Sequence, residues 1–190
     1  MSQLLIESIR IENGEVFNLK YHQKRVDASR LELFDLTNKL SLAEAILPLD
    51  FPEKGIWKCR IVYAASIEKI EFLPYELKTP ERIRLVENDK IRYNYKFEDR
   101  SDFTELLAQY LDYQDIMITQ RGHFTDSLWA NLAFFDGKKW YTPNTYLLPG
   151  TRRQQLIDDK QLKAKEIRVL DLPKYQGFAF INAMRGLEHI

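Results

Sequence analysis

The sequence predicts an α+β protein of two lobes, divided near residue 90. Three observations carry that reading. The chain opens on a hairpin signal that runs into a helical period. A charged stretch with Pro80 interrupts the pattern at 78–90, and after residue 115 the apolar period becomes two. Regular alternation of strand and helix, the mark of a doubly wound sheet, is missing.

Taken in order, Leu4 to Ile11 alternate apolar and polar side chains as a strand does. Asn13-Gly14 is a tight-turn dipeptide, and Glu15 to Leu19 predicts the returning strand. Tyr21 to Phe34 predicts a helix with Val26, Leu31 and Phe34 on its buried side and the basic residues elsewhere. Ser41 is placed to cap a second helix over Leu42 to Leu47. Trp57 to Ala64 and Ile67 to Pro74, rich in Ile, Val, Tyr and Phe, predict paired strands. Lys78 to Lys90 is read as the linker. Arg100 to Tyr113 predicts a helix with Phe103, Leu106, Leu107, Tyr110 and Leu111 along one face. A meander of strands follows: Asp115 to Thr119, a turn at Arg121-Gly122, Phe124 to Phe135, a turn at Asp136-Gly137, and Lys139 to Thr142. Pro149-Gly150 leads into a helix from about Arg152 to Lys160, and Ile167 to Leu170 and Gly177 to Ile181 predict two last strands.

The 190 residues are 45% apolar and 13% aromatic, enough for a sizeable core rather than a disordered chain. Basic and acidic side chains number 28 each and are interspersed, so nucleic acid and an anionic membrane are not expected partners. Cys59 is the single cysteine, which excludes an intrachain disulfide and fits a reducing, cytoplasmic setting. The N-terminal segment meets acidic residues too early for a signal peptide. No stretch approaches the roughly 18 apolar residues that span a bilayer.

For chemistry, single motifs are sparse. His22, His123 and His189 are far apart without ligand-like neighbours, so no metal site is expected. A nucleophile elbow, a Walker A loop and a dinucleotide fingerprint are all absent. Four short segments carry more. They are Ile6-Glu7-Ser8-Ile9-Arg10 followed by Asn13-Gly14 and Leu19-x-x-His22-x-x-Arg25-x-x-x-Ser29; Tyr95-Lys96-Phe97-Glu98-Asp99-Arg100; Thr125-Asp126-Ser127-Leu128-Trp129-Ala130-Asn131-Leu132 with Asp136-Gly137 and Thr142-Pro143 after it; and Leu148-Pro149-Gly150-Thr151-Arg152-Arg153 with Asn182-Ala183-Met184 near the end.

In this order and at these separations the segments resemble the class IV aminotransferases and 4-amino-4-deoxychorismate lyases, the fold-type-IV enzymes that use pyridoxal 5′-phosphate (PLP). The resemblance runs from about residue 5 to residue 187. It implies an N-terminal α/β sandwich, 1–90, and a C-terminal pseudo-barrel, 91–190, that carries the cofactor-linking lysine. Lys96 matches that lysine, whose amine must be partly deprotonated to attack an aldehyde and then move protons. Asp126 matches the carboxylate beside the pyridine nitrogen, where it keeps the ring cationic. Most relatives carry glutamate there, one methylene longer, so aspartate needs a closer ring or an intervening water.

Arg25 matches the arginine that binds the cofactor phosphate, a role suited to its planar fork. His22 fits the same pattern and is read as structural. Gly150, Thr151 and Arg152 match a turn entering a helix, whose N-terminal amides form an anion site; the key amide belongs to Thr151 or to Arg152. Asn182 and Ala183 match the segment closing the phosphate cup, and Asn131 the asparagine that supports the strand of Asp126. Arg10, Lys20 and Arg60 are loose candidates for the substrate carboxylates. The resemblance further implies a homodimer acting on aminodeoxychorismate or an amino-acid-like substrate. The Lys96-x-x-x-Arg100 spacing and the Asn182-Ala183-Met184 ending favour the lyase, which releases pyruvate and forms the folate precursor 4-aminobenzoate. A transaminase and a non-catalytic homologue are the alternatives.

Overall fold

The computed structural model of the chain describes residues 3–187. Their contacts divide them into two compact units, one running to Leu77 and including Tyr95–Asp99, the other made of Lys78–Asn94 and the chain from Arg100 onward. The sequence reading cuts the chain once, near residue 90. By contacts, Tyr95–Asp99, and Lys96 with it, clusters with the first unit.

In the first unit β1 (Leu5–Glu12) and β2 (Glu15–Val16) form the expected hairpin, followed by α1 (Leu19–Phe34), α2 (Leu42–Ile46), β3 (Ile56–Tyr63) and β4 (Ile67–Pro74). The sheet order is β2-β1-β3-β4, with every pairing antiparallel. Asn13 and Gly14 both have positive φ, 50° and 80°, as a two-residue hairpin turn demands. Asn18, at φ 56°, ends β2 after two residues and starts α1 ahead of Tyr21. That leaves the rest of the β1 edge open. Residues 96–98 occupy it: the Ile6 N–H donates to the Lys96 carbonyl at 2.8 Å and the Glu98 N–H to the Leu4 carbonyl at 2.9 Å.

Alternation puts Leu5, Ile9 and Ile11 of β1 and Cys59, Ile61 and Tyr63 of β3 on one face, where Val26, Leu42 and Ile46 cover them. Position 7 belongs to the same row, and Glu7 is fully buried there. The buried side of α1 is His22, Val26, Ser29 and Arg30, while Leu31, expected inside, is half exposed. Arg30 is buried because its guanidinium donates to the carbonyls of Asn38 (2.6 Å) and Ala65 (2.7 Å). Ser41 caps α2 as expected, accepting from the Glu44 N–H at 3.2 Å.

The second unit holds β5 (Ile83–Glu87), α3 (Ser101–Ala108), β6 (Asp115–Gln120), β7 (His123–Ser127), β8 (Asn131–Phe135), β9 (Trp140–Pro143), α4 (Thr151–Asp158), β10 (Leu162–Lys165), a 3-10 helix at Val169–Lys174, and β11 (Gly177–Ile181). The sheet runs β10-β9-β8-β7-β6-β5 with β11 branching onto β8. Its path stays open among the described residues, so "pseudo-barrel" applies only loosely. β8 is buried on both faces, Leu132 and Phe134 in one apolar cluster and Ala133 in another with Leu156 and Ile181.

Four expectations change here. The linker at 78–90 contains β5, a short edge strand parallel to β6, whose exposed Arg84 and Glu87 disguise it. The strand expected over 124–135 is two strands, because the Ser127 N–H donates to the Ala130 carbonyl at 2.8 Å and Ser127 Oγ accepts from the amides of Trp129 and Ala130. The helix from Arg100 stops at Ala108, where the Gln109 and Tyr110 amides turn back to the Leu106 and Leu107 carbonyls, and Leu111 beyond it is 91% exposed. Leu162–Lys165, not Ile167–Leu170, pairs with β9, and Arg168–Asp171 opens the 3-10 turn through the Arg168 N–H and Asp171 Oδ2. No helix among the described residues is long and apolar enough to cross a membrane.

Candidate active site

In the first unit three motif residues meet around Glu7. His22 and Arg25, three apart on α1, share one face, and both reach the core-facing carboxylate of β1. Arg25 grips it with two bonds, Nε to Oε1 at 2.8 Å and Nη2 to Oε2 at 2.6 Å, and His22 Nδ1 lies 2.6 Å from Oε2. Burial raises the carboxyl's pKa. The Arg25 charge and the His22 and Arg25 hydrogen bonds outweigh it and bring it down to about 2. Glu7 is therefore anionic at neutral pH and can only accept, so Nδ1 of His22 carries the proton. Burial lowers the His22 pKa, and the charges of Arg25 and Lys96 lower it further against the pull of Glu7. Lys96 is half-buried beside this group, on the segment that hydrogen-bonds to the β1 edge. Its neighbours fix that segment. Tyr95 donates to Glu32 of α1 at 2.7 Å, Phe97 packs against the apolar core, and Glu98 accepts from Arg60 at 2.7 Å.

In the second unit Asp126, on β7, is buried and accepts three hydrogen bonds. Asn131 Nδ2 donates to Oδ1 at 2.8 Å, and the amides of Leu147 and Leu148 donate to Oδ2 at 3.1 and 2.9 Å. Burial still dominates and pushes its pKa up to about 6, against those three bonds and the charge of Arg153. Asn131 also donates to the Leu148 carbonyl at 2.9 Å. It thus ties Asp126 to the turn that enters α4. Gly150 is the N-cap of that helix, and a β-carbon there would collide with Asn131 Oδ1, so the close approach requires glycine. Thr151 is buried as the first helical residue, and Arg152 is half-buried with Nη1 on Gln155 Oε1 at 2.6 Å.

Asn182 donates to the Trp129 carbonyl at 3.2 Å and accepts from the Met184 N–H at 2.9 Å, with Ala183 in the turn between. Arg100, four residues past the lysine, donates to the Leu128 carbonyl and stacks on Trp129 at 4.6 Å. The β7–β8 turn is thus held by two motif segments beside its own. The loose carboxylate candidates are already engaged: Arg60 by Glu71 and Glu98, Arg10 by Glu12, while Lys20 lies over the Tyr21 ring at 4.8 Å. His189 lies outside the described residues.

Sequence reasoning gave no role to Glu7 or to Arg153. Arg153 is a buried guanidinium on α4 that donates to Thr142 Oγ1 (3.2 Å) and the Pro143 carbonyl (2.9 Å) and lies over the Tyr146 ring at 4.3 Å. The signal for Glu7 was present, a carboxylate in the apolar row of an alternating strand. Arg153 left none, since Arg152 and Arg153 read alike in a basic helix start.

The family model for class IV amino-transferases matches residues 101–190. A crystal structure from Haemophilus somnus, provisionally named a 4-amino-4-deoxychorismate lyase, is 35% identical at a TM-score of 0.90, covering 98% of this chain and 99% of that one. The chain belongs to the class IV aminotransferase family. An uncharacterised protein of Haemophilus influenzae is 36% identical over 188 residues, 96% of this chain and 98% of the relative. An aminotransferase from Brucella abortus bound to PLP shares the fold at 16% identity and a TM-score of 0.73, covering 100% of this chain and 80% of that one.

Class IV aminotransferases are PLP enzymes, and the chemistry of the residues present fits that group. The Asp126 carboxylate has about four acceptor directions, three of them filled, and burial drives it toward protonation. A protonated ring nitrogen matches both features, since it is a donor and a cation. Lys96 carries a primary amine, and the Arg25 guanidinium is held in a fixed orientation by Glu7.

Proposed function

We propose that this class IV aminotransferase family member is a PLP-dependent lyase acting on 4-amino-4-deoxychorismate, releasing pyruvate and forming 4-aminobenzoate. The observation that carries the substrate is the end-to-end likeness to the Haemophilus somnus protein of that provisional name. The buried, donor-seeking carboxylate of Asp126 supports the cofactor.

In this reading Lys96 would supply the amine that holds the cofactor aldehyde and would take the proton from the substrate carbon bearing nitrogen. The bound cofactor would supply an electron-accepting ring; enolpyruvate lost from the neighbouring carbon would become pyruvate on taking up a proton. Asp126 holds the ring nitrogen protonated, and Asn131 holds Asp126. Arg25, the amides at Gly150, Thr151 and Arg152, and the Asn182-Ala183 segment bind the phosphate. The same proton abstraction without a leaving group gives amino transfer, so the family's transaminases are the second reading. The family likeness and the single cysteine support reading it as a cytoplasmic enzyme of folate synthesis that works as a homodimer.

Purified protein supplied with PLP is assayed for pyruvate release from aminodeoxychorismate and, in parallel, for amino transfer to a 2-oxo acid. Pyruvate release that is lost in Lys96→Ala is the expected result. Amino transfer alone selects the transaminase, and the absence of both activities contradicts the enzyme reading. Sedimentation in the same buffer should give the mass of two chains; a monomer would contradict the assembly.

A further inference from the structure

We propose that Glu7 is a positioning residue for cofactor phosphate binding: by gripping the Nε–Nη2 edge of Arg25 it sets the plane and direction in which the guanidinium meets the anion. The inference rests on the functional reading above, in which Arg25 binds the phosphate.

Position 7 lies in the core-facing row of β1, with Leu5, Ile9 and Ile11 as its companions, and Glu7 is wholly buried. An apolar side chain is the expected occupant of such a position. A buried carboxylate brings a desolvation penalty of several kcal/mol, and replacing buried ion pairs by apolar residues is often neutral or stabilising. Stability alone therefore does not explain Glu7. Its three bonds do something else: they fix a guanidinium. Arg25 Nε and Nη2 are held on two carboxylate oxygens at 2.8 and 2.6 Å, which sets both the direction and the roll of the planar group. His22 in turn pins Oε2 at 2.6 Å from the preceding turn of the same helix.

Arg25 is only about one-tenth exposed, so without Glu7 it would be a nearly buried cation with reason to swing toward water. An opposite electrostatic effect acts at the same place. Glu7 is an anion close to the proposed phosphate ligand, and as charge alone it opposes anion binding. Positioning and charge therefore predict opposite signs on its removal, which makes the inference testable.

The test measures the affinity of the intact apoprotein for PLP and for pyridoxal, which lacks the phosphate, by absorbance titration. Wild type is compared with Glu7→Gln, which keeps shape without charge, and Glu7→Asp, which keeps charge and shortens the reach. Circular dichroism confirms that each variant is folded. Positioning predicts that Glu7→Gln weakens PLP binding by about tenfold with pyridoxal affinity unchanged, as expected for disturbing one charge-assisted contact. Glu7→Asp should fall in the same direction, and inorganic phosphate should lose its power to compete with PLP in both. If Glu7→Gln does not fold, the PLP-to-pyridoxal ratio of Glu7→Asp decides alone. An unchanged ratio, or tighter PLP binding in Glu7→Gln, overturns the inference while leaving the function intact. Wild-type protein that takes up no PLP overturns the function, and this inference with it.

Discussion

At Asp126 a short carboxyl sits on an interior strand, and its protonation is set by a contest between burial and three donors. Burial dominates and its pKa rises from an ordinary aspartate to about 6. A carboxyl raised in this way loses stability contribution as pH climbs through the window between about 4 and 6, where the folded apoprotein still holds a proton that the unfolded chain has released. A cationic ring nitrogen reverses that preference, because it needs the ionised form. PLP affinity should therefore fall as pH drops below about 6. The cofactor titrates in the same range, so the informative quantity is the difference between wild type and Asp126→Asn, measured by absorbance titration across pH. The account expects the variant to bind more weakly above pH 6 and the gap to close below it. A gap that is constant with pH contradicts the pairing. Asp115, also buried and also raised to about 6, is unchanged in both proteins and cancels.

At the scale of elements, the turn from Leu147 into α4 is shaped by one side chain. Asn131 spans from Asp126 Oδ1 to the Leu148 carbonyl, and Gly150 closes over it without a β-carbon. Gly150→Ala leaves two outcomes, a shifted turn or an Asn131 amide driven off its partners. Either should destabilise the protein by about 1–3 kcal/mol and weaken PLP binding. Urea unfolding and cofactor titration check both effects. Stability and affinity equal to wild type would contradict the close approach. The neighbouring β7–β8 turn teaches a different lesson. It has neither Gly nor Pro, and is closed by the Ser127 hydroxyl and by Arg100 and Asn182 from distant segments. Local sequence therefore reads as one continuous strand there.

Across the whole chain, what was legible follows from how local each determinant is. Asn13-Gly14 announces its hairpin, and Gly177–Ile181 has the strand bounds that its pattern implies, because turn chemistry and alternation are written within a few residues. β5 was hidden because its partner, β6, is about thirty residues on and its own outer face is charged. Leu31 was assigned inside α1 on hydrophobicity, whereas the helix buries His22, Ser29 and Arg30 through bonds that no periodicity reveals. The candidate site divides in the same way. Lys96 and Asp126 carry no local signal as chemistry and were found through the resemblance of four ordered segments. Glu7 stood in plain view as the one charge in an apolar row.

The central claim is that Lys96 carries the cofactor. Purified protein incubated with PLP, reduced with borohydride and digested should yield one modified peptide, containing Lys96 with the mass of the reduced cofactor added. A modified lysine elsewhere, or no fixed adduct at any lysine, would contradict the account.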